Sequence, residues 1–239
     1  MKCVILAAGF ATRLYPLTKN KAKTLLPIAG RPIIEHIIEK LGSYISEVYI
    51  ITNNKFYNDF ANWLDNYKSH IKINLVNDEI DSNEKRLGAL GDLKFVLDKF
   101  NIKEEIIVVA GDNLFNFDFY DFVKFFKEKG TCIALHDVKD KELAKHYGII
   151  KLEGDIIKDF QEKPHHPKST IASTGIYFVS KEDLKELNKY IEVGNLDGLG
   201  YFMQYLEKMK DVYGFVINGD WYDIGTLQQY KKANKEWKN

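Results

Sequence analysis

Apolar positions along the chain switch repeatedly between two spacings. The run at Lys2–Leu6, with Val4 and Ile5 β-branched, predicts a short buried strand, and Pro32 then opens a helix over Ile33–Leu41 as its first helical residue. In that helix Ile33, Ile34, Ile37, Ile38 and Leu41 share one face. Glu47–Thr52 predicts a second strand, 56–67 a helix and 71–76 a third strand, and 88–100 carries Leu90, Leu93, Val96, Leu97 and Phe100 at helical spacing. Ile106–Ala110 is apolar throughout, the pattern of a strand buried on both faces. Strands alternating with helices in this way imply an α/β protein with three α/β/α layers around a mainly parallel sheet.

Beyond a helix predicted over 117–126, whose Phe119, Phe122, Val123 and Phe126 belong to the core, the rhythm changes. A strand is predicted at 131–137, and 147–152 and 156–160 flank Glu153-Gly154-Asp155 as a hairpin. Ile171–Val179 is another strand, so this stretch reads as a small β-rich lobe closing one side of a pocket. No internal repeat or low-complexity linker interrupts the 239 residues, which are read as a single domain with halves 1–137 and 138–239.

Charge and cysteine content narrow the function classes. The 34 basic and 34 acidic residues cancel, and the lysines are scattered, so neither a nucleic-acid footprint nor a polybasic membrane anchor is expected. Small-molecule chemistry fits better. No apolar run approaches the ~20 residues that span a bilayer. The chain opens on a strand rather than a signal peptide, so the expected location is cytoplasmic. Cys3 and Cys132, each inside an apolar run and with no CxxC, are expected to be reduced core thiols.

The candidate chemistry begins where the first strand ends. Ala7, Ala8 and Gly9 are small enough for backbone N–H groups to approach an anion, Gly9 can adopt a positive φ, and Arg13 and Lys23 follow as cations suited to a polyphosphate. The patterns GxGxxG and GxxxxGK(S/T) are absent, and a Gly-containing turn is common in any α/β protein. Asp112 ends the fourth strand, where open α/β sheets bind ligands; facing a triphosphate it calls for a divalent cation, and otherwise it closes a turn. Glu162 and Lys163, before Pro164, could hold a sugar hydroxyl and a phosphate, or form a solvated strand end. His165 and His166 are read as surface residues. Asp223 sits at a strand-to-helix corner, a second metal ligand if it meets Asp112 or else an acid favoured by the helix dipole.

The blocks LAAGFATRLYPLT, AK, LLPI, GDNLF, EKPHHPKS, STGIYF and WYDIGT, in this order, resemble the sugar-phosphate nucleotidylyltransferases, most closely the bacterial glucose-1-phosphate thymidylyltransferases. The resemblance implies a Rossmann-like mixed sheet of the GT-A type. The reaction it implies is attack of a sugar 1-phosphate, with glucose 1-phosphate first, on the α-phosphate of dTTP or UTP, giving pyrophosphate. On the family pattern Leu6, Ala7, Ala8, Gly9, Phe10, Ala11, Thr12, Gly88 and Asp112 would meet the nucleotide, making 1–137 the nucleotide half. Arg13 and Lys23 would meet the phosphates, and Asp112 with Asp223 would carry Mg²⁺. Gly148, Glu162, Lys163, Thr174 and Gly175 would line the sugar-phosphate site, making 138–239 the sugar half.

Departures from the pattern mark where the resemblance weakens. Ala11 stands where the family has a glycine, so either the backbone angle there is negative or the loop is rearranged; Ala22-Lys23-Thr24 replaces a common PKP. Segment 77–88 is longer and more charged than the stretch that meets the base in those enzymes, 195–209 differs in the region that faces the sugar, and the sequence stops at Asn239 without their helical tail. A monomer or small homo-oligomer is expected. The alternatives are a CTP-dependent cytidylyltransferase acting on choline phosphate or another small phosphorylated alcohol, and a nucleotide-binding regulatory module without turnover.

Overall fold

The computed structural model describes residues 1–117 and 119–237. In chain order its first half runs β1 (Lys2–Leu6), β2 (Pro27–Ile28), β3 (Arg31–Pro32), α1 (Ile33–Leu41), β4 (Glu47–Thr52), α2 (Tyr57–Asn66), β5 (Lys72–Asn77), α3 (Gly88–Lys99), β6 (Ile106–Ala110), β7 (Asn113–Phe115) and α4 (Phe119–Lys129). There follow β8 (Cys132–Asp137), α5 (Lys141–Ala144), β9 (Gly148–Glu153), β10 (Ile156–Glu162), β11 (Ile171–Val179), α6 (Lys181–Ile191), α7 (Leu199–Glu207), β12 (Tyr213–Val216), β13 (Trp221–Asp223) and α8 (Leu227–Glu236).

Nine strands form one sheet in the order β5-β4-β1-β6-β11-β8-β12-β10-β9. The first four are parallel, and Leu6 faces Ile51 on one side and Ala110 on the other, so β1, β4 and β6 end at one level. Alternate residues of the central strands enter opposite core layers: Cys3, Ile5, Ile107 and Val109 pack with α1 and α4, while Val4, Ile106 and Val108 pack with α3 and α7. That double burial is why β6 is an unbroken apolar run rather than an alternating one.

From β11 onward the sheet is mixed. Strand β11 is antiparallel to both β6 and β8, with a register shift between Ser173 and Tyr177 where Gly175 takes φ +79°. The bulge bends the strand beside the end of β6. The strands expected to form a β-rich lobe, β8 to β11, all belong to this one sheet, with β9 and β10 joined to it through β12 and through β9 with β11. A separate two-stranded ladder, β7 with β13, lies at the C-terminal end of β6.

Several boundaries differ from the expected ones. Pro32 is not the first helical residue but the cap, extended at φ −52°, ψ 141° and paired with Pro27. Helix α4 runs from Phe119 to Lys129 rather than over 117–126, and residue 118 lies outside the described residues. Helices α6 and α7 and strand β12 were not anticipated. Both cysteines are free and buried, and among the described residues no helix is long and apolar enough to cross a membrane.

Candidate active site

The loop leaving β1 is held from below. Ala7 N–H bonds to the Ile51 carbonyl (2.8 Å), and the buried Asn53 amide donates to the Ala8 carbonyl (2.7 Å). Gly9 lies exposed above them, and a Cβ added there would meet no protein atom within 4 Å. Its lack of a side chain therefore keeps space open rather than relieving a clash.

The positive φ expected at Gly9 occurs instead at Ala11, at φ 49°, ψ 41°. The angle at Ala11 is thus not negative: an alanine holds the left-handed conformation, at a cost of about 1–2 kcal/mol. Thr18 Oγ1 donates to the Ala11 carbonyl (2.7 Å), as does Leu14 N–H (3.0 Å), and these bonds hold it there. The following turn, Thr12–Leu14, leaves Arg13 exposed and without an ion pair among the described residues.

Asp112 and Asp223 are brought together by the β7–β13 ladder. Asp223 is paired with Asn113, and Ile224 N–H donates to the Asp112 carbonyl (2.9 Å). Lys23 Nζ lies 2.6 Å from Asp112 Oδ2. Burial, followed by the negative charge of Asp112, pushes the Asp223 carboxyl up, and Lys23 and Arg13 only partly offset this. Two carboxylates that repel each other at a strand end match the way Mg²⁺ is held, by one or two carboxylates with the remaining positions left to water and phosphate. Among the described residues no group of three His, Cys, Asp or Glu side chains could form an all-protein metal cage.

Two cavities meet at Asp112. The first, about 290 Å³, is lined by Leu6, Ala7, Ala8, Gly9, Lys23, Gly88 and Asp112 among others; Phe10, Ala11, Thr12 and Arg13 do not line it. Phe10 is buried near Phe56. Gly88, at φ +79°, starts α3 so close to the chain before α7 that a Cβ would come within 2.4 Å of the Leu196 carbonyl oxygen. Asp92 and Arg86 also line this cavity, and Arg86 reaches Asp197 at 3.3 Å.

The second cavity, about 240 Å³, gathers Gly148, Glu162, Lys163, Thr174 and Gly175 around Asp112 and Asp223. The Gly148 and Gly200 backbones crowd Glu162, since a Cβ on either would lie 3.0 or 2.9 Å from its Oε2. Burial raises the Glu162 carboxyl, and Lys163, at 3.6 Å, opposes the shift. Lys163 itself takes φ 46°, its N–H bonded to the Tyr147 carbonyl (3.0 Å). The Thr174 hydroxyl is buried and already donates to the Ala134 carbonyl (2.8 Å).

Tyr147 and Trp221, which sequence reasoning left out, also line this cavity. Burial, with Asp223 next, pushes the Tyr147 phenol up to about 12, and Trp221 Nε1 donates to Asn113 Oδ1 (2.7 Å). The available signal was adjacency, Tyr147 to Gly148 and Trp221 to the Asp223 corner. A further cavity of about 350 Å³, between α3 and α6, holds none of these residues.

Residues 2–239 match the nucleotidyl transferase family. The bifunctional protein GlmU of Methanocaldococcus jannaschii is 34% identical over 240 residues, covering 98% of this chain and 54% of its own length. The glucose-1-phosphate adenylyltransferase of Clostridium novyi is 31% identical over 255 residues, covering 99% of this chain and 66% of its own. Among solved structures, a Bacillus anthracis protein assigned as a glucose-1-phosphate thymidylyltransferase, in complex with sucrose, superposes with a TM-score of 0.85 at 26% identity, covering 98% of this chain and 94% of that one. The chain spans between about half and two thirds of the length of the curated relatives it matches. With the whole family match, the identities above 30% and the shared fold, this chain belongs to the sugar-phosphate nucleotidyltransferase family.

Proposed function

We propose that the protein joins a nucleoside triphosphate to a sugar 1-phosphate, giving a nucleoside diphosphate sugar and pyrophosphate. The observation that carries this reading is the meeting of two cavities at one carboxylate. The first loop and Lys23 line one, Glu162 and Lys163 line the other, and Asp112 belongs to both. A donor phosphate chain in the first and an acceptor phosphate in the second would face each other across Asp112.

In the proposed reaction a phosphate oxygen of the acceptor forms a bond to the donor's α-phosphorus, and the bond to the bridging oxygen breaks as pyrophosphate leaves. No protein nucleophile is required, so the side chains act by positioning and by offsetting negative charge. Lys23 is within reach of a phosphate once it exchanges its bond to Asp112, and the exposed Arg13 is free to fold over the chain. Backbone groups around Gly9 and Gly88 bring the nucleotide close, and Glu162 accepts a sugar hydroxyl while Lys163 meets the acceptor phosphate. Asp112 and Asp223 would hold Mg²⁺, which when bound supplies further neutralisation at the transferring phosphate. The reading places the protein in the cytoplasm as a monomer or small homo-oligomer.

The motifs imply glucose 1-phosphate with dTTP or UTP, but they consist of phosphate and sugar residues, whereas the base-facing segment 77–88 is the part that departs from those enzymes. Pyrophosphate release with Mg²⁺ tests the reading, pairing each of the four ribonucleoside triphosphates and dTTP with glucose 1-phosphate and then with choline phosphate. Release with the sugar phosphate is expected. Release only with CTP and choline phosphate would move the protein to the cytidylyltransferase class, and none in any combination from a folded sample would refute the reading.

A further inference from the structure

The cavity of about 350 Å³ between α3 and α6 takes no part in the proposed transfer, yet its walls follow a pattern. Helix α6 contributes Lys181, Leu184, Lys185 and Asn188, the i, i+3, i+4, i+7 spacing of a single helical face. From the other wall, α3 and the turn that ends it contribute Lys94, Leu97, Asp98 and Asn101 at the same spacing. Two faces carrying lysine, leucine and asparagine in the same order thus meet across one cavity. Leu97, Leu184 and Ile102 are buried and form an apolar floor, while Lys103, Lys181 and Lys185 are exposed at its rim with Asn101 and Asn188.

The charges in this lining do not balance. It holds four lysines and one acid, Asp98, which is already paired with Lys94 on its own helix. Lys103, Lys181 and Lys185 form no ion pair among the described residues. Nearby acids of α6 are engaged elsewhere, Asp183 with Lys210 and Glu186 with Lys189, and Glu182 does not line the cavity. Lysines four residues apart on a helix repel each other, and Lys181 stands in the first turn of α6, where the helix dipole also disfavours a cation. An anion in the cavity relieves both.

We propose that this cavity is a second ligand site, separate from the active site, and that it takes a nucleoside diphosphate. The base and ribose lie on the leucine floor, the two asparagine amides meet polar edges of the base, and Lys103, Lys181 and Lys185 meet the phosphates. Inorganic phosphate or a sugar phosphate would match the lysines but leave the floor wet. The volume lies within the range of small-molecule sites. None of the lining residues lines either substrate cavity, so a nucleotide here is an effector and not a substrate. Both walls lead toward the substrates: α3 begins at Gly88 in the first cavity, and α6 packs on α7, with Tyr190 and Phe202 ring centroids 5.5 Å apart. Helix α7 in turn carries Gly200 beside Glu162 of the second.

Titration calorimetry with ADP, GDP, CDP and UDP, and with inorganic pyrophosphate as a probe of charge alone, tests the proposal on three proteins. These are wild type, Lys181→Gln/Lys185→Gln, and a control, Lys99→Gln/Lys189→Gln, which removes the same charge from α3 and α6 at lysines outside the cavity. All four lysines are exposed, so both variants should melt as wild type does. Any binding in the active site uses none of them and adds the same background to all three, so the transfer reading stands or falls separately. At least one nucleoside diphosphate is expected to bind wild type and control alike, with one equivalent bound roughly tenfold or more weakly in Lys181→Gln/Lys185→Gln, the scale of one charge-assisted hydrogen bond. Unchanged binding of every diphosphate in that variant, or no binding to wild type, overturns the proposal. An equal loss in the control would reduce the effect to diffuse surface charge and overturn it too. Pyrophosphate losing as much affinity as the best nucleoside diphosphate, from an equally tight start, would show that the floor adds nothing and overturn the nucleotide assignment.

Discussion

Asp92, a buried carboxylate lining the first cavity, makes a prediction about stability that does not depend on any ligand. Burial, with the charge of Asp78 added, raises its carboxyl from the ordinary 3.8 to about 7, while Asp78 itself is raised to about 6 and so loses its proton first. The folded protein then holds a proton that the unfolded chain has released, so stability falls as pH rises from about 3.8 to about 7. A shift of about three units at about 1.36 kcal/mol each bounds the loss near 4 kcal/mol. Asp92→Asn removes this titration but buries an amide with no certain acceptor, at about 1–3 kcal/mol. At pH 8 the variant is expected to be more stable than wild type by about 1–3 kcal/mol, or roughly 3–10 °C in melting temperature for a domain of this size. At pH 4 the folded carboxyl is protonated and the unfolded one only about half ionised, so most of the penalty on wild type, and with it the advantage of the variant, disappears. Urea unfolding of both proteins across this range makes the measurement, and all titrations they share cancel in the difference. A difference that is the same at pH 4 and pH 8 would show that Asp92 is not a buried, ionising carboxylate and would refute the reasoning.

Other substitutions probe the site from different directions. Asp112→Asn should lower turnover by several orders of magnitude with little change in melting temperature, since the lost charge acts in the transition state; full activity with Mg²⁺ would remove Asp112 from the metal site. Gly88→Ala would bring a Cβ within 2.4 Å of the Leu196 carbonyl oxygen at φ +79°, and should destabilise by about 2 kcal/mol or more in chemical unfolding. Ala11→Gly relieves left-handed strain of about 1–2 kcal/mol against about 0.4–1 kcal/mol of added chain entropy, so a melting temperature higher by roughly 1–4 °C is expected. Gly200→Ala would put a Cβ 2.9 Å from Glu162 Oε2, and should raise KM for the sugar phosphate while leaving KM for the nucleotide unchanged in steady-state assays.

Much of the fold was legible because burial leaves periods in the sequence. Strands β1 and β6 read as continuous apolar runs since both faces are covered, and α1 shows its helical stripe since only one face is. Strands β7 and β13 are three residues each, too short to carry a period, so the ladder joining Asp112 to Asp223 could not be read from local pattern. Each aspartate was recognisable as a candidate, but their meeting is a matter of pairing between segments far apart in the chain. The extension of the sheet into β9 and β10 was hidden for the same reason, because a hairpin's own sequence does not say which strand it will pair with.

By itself, then, the sequence determined the layered α/β plan, the small-residue loop after β1 and the residue types capable of phosphate, sugar and metal binding. These follow from side-chain size, polarity and spacing, which are local properties. Only the tertiary structure decided that Ala11 rather than Gly9 takes the left-handed angle, because alanine has no local preference for it and Thr18 supplies the bond that holds it. Only the tertiary structure decided, too, that Asp92 is buried without a partner, because on its own helix it is one polar residue among Leu90, Leu93 and Val96, and its isolation comes from what packs over it.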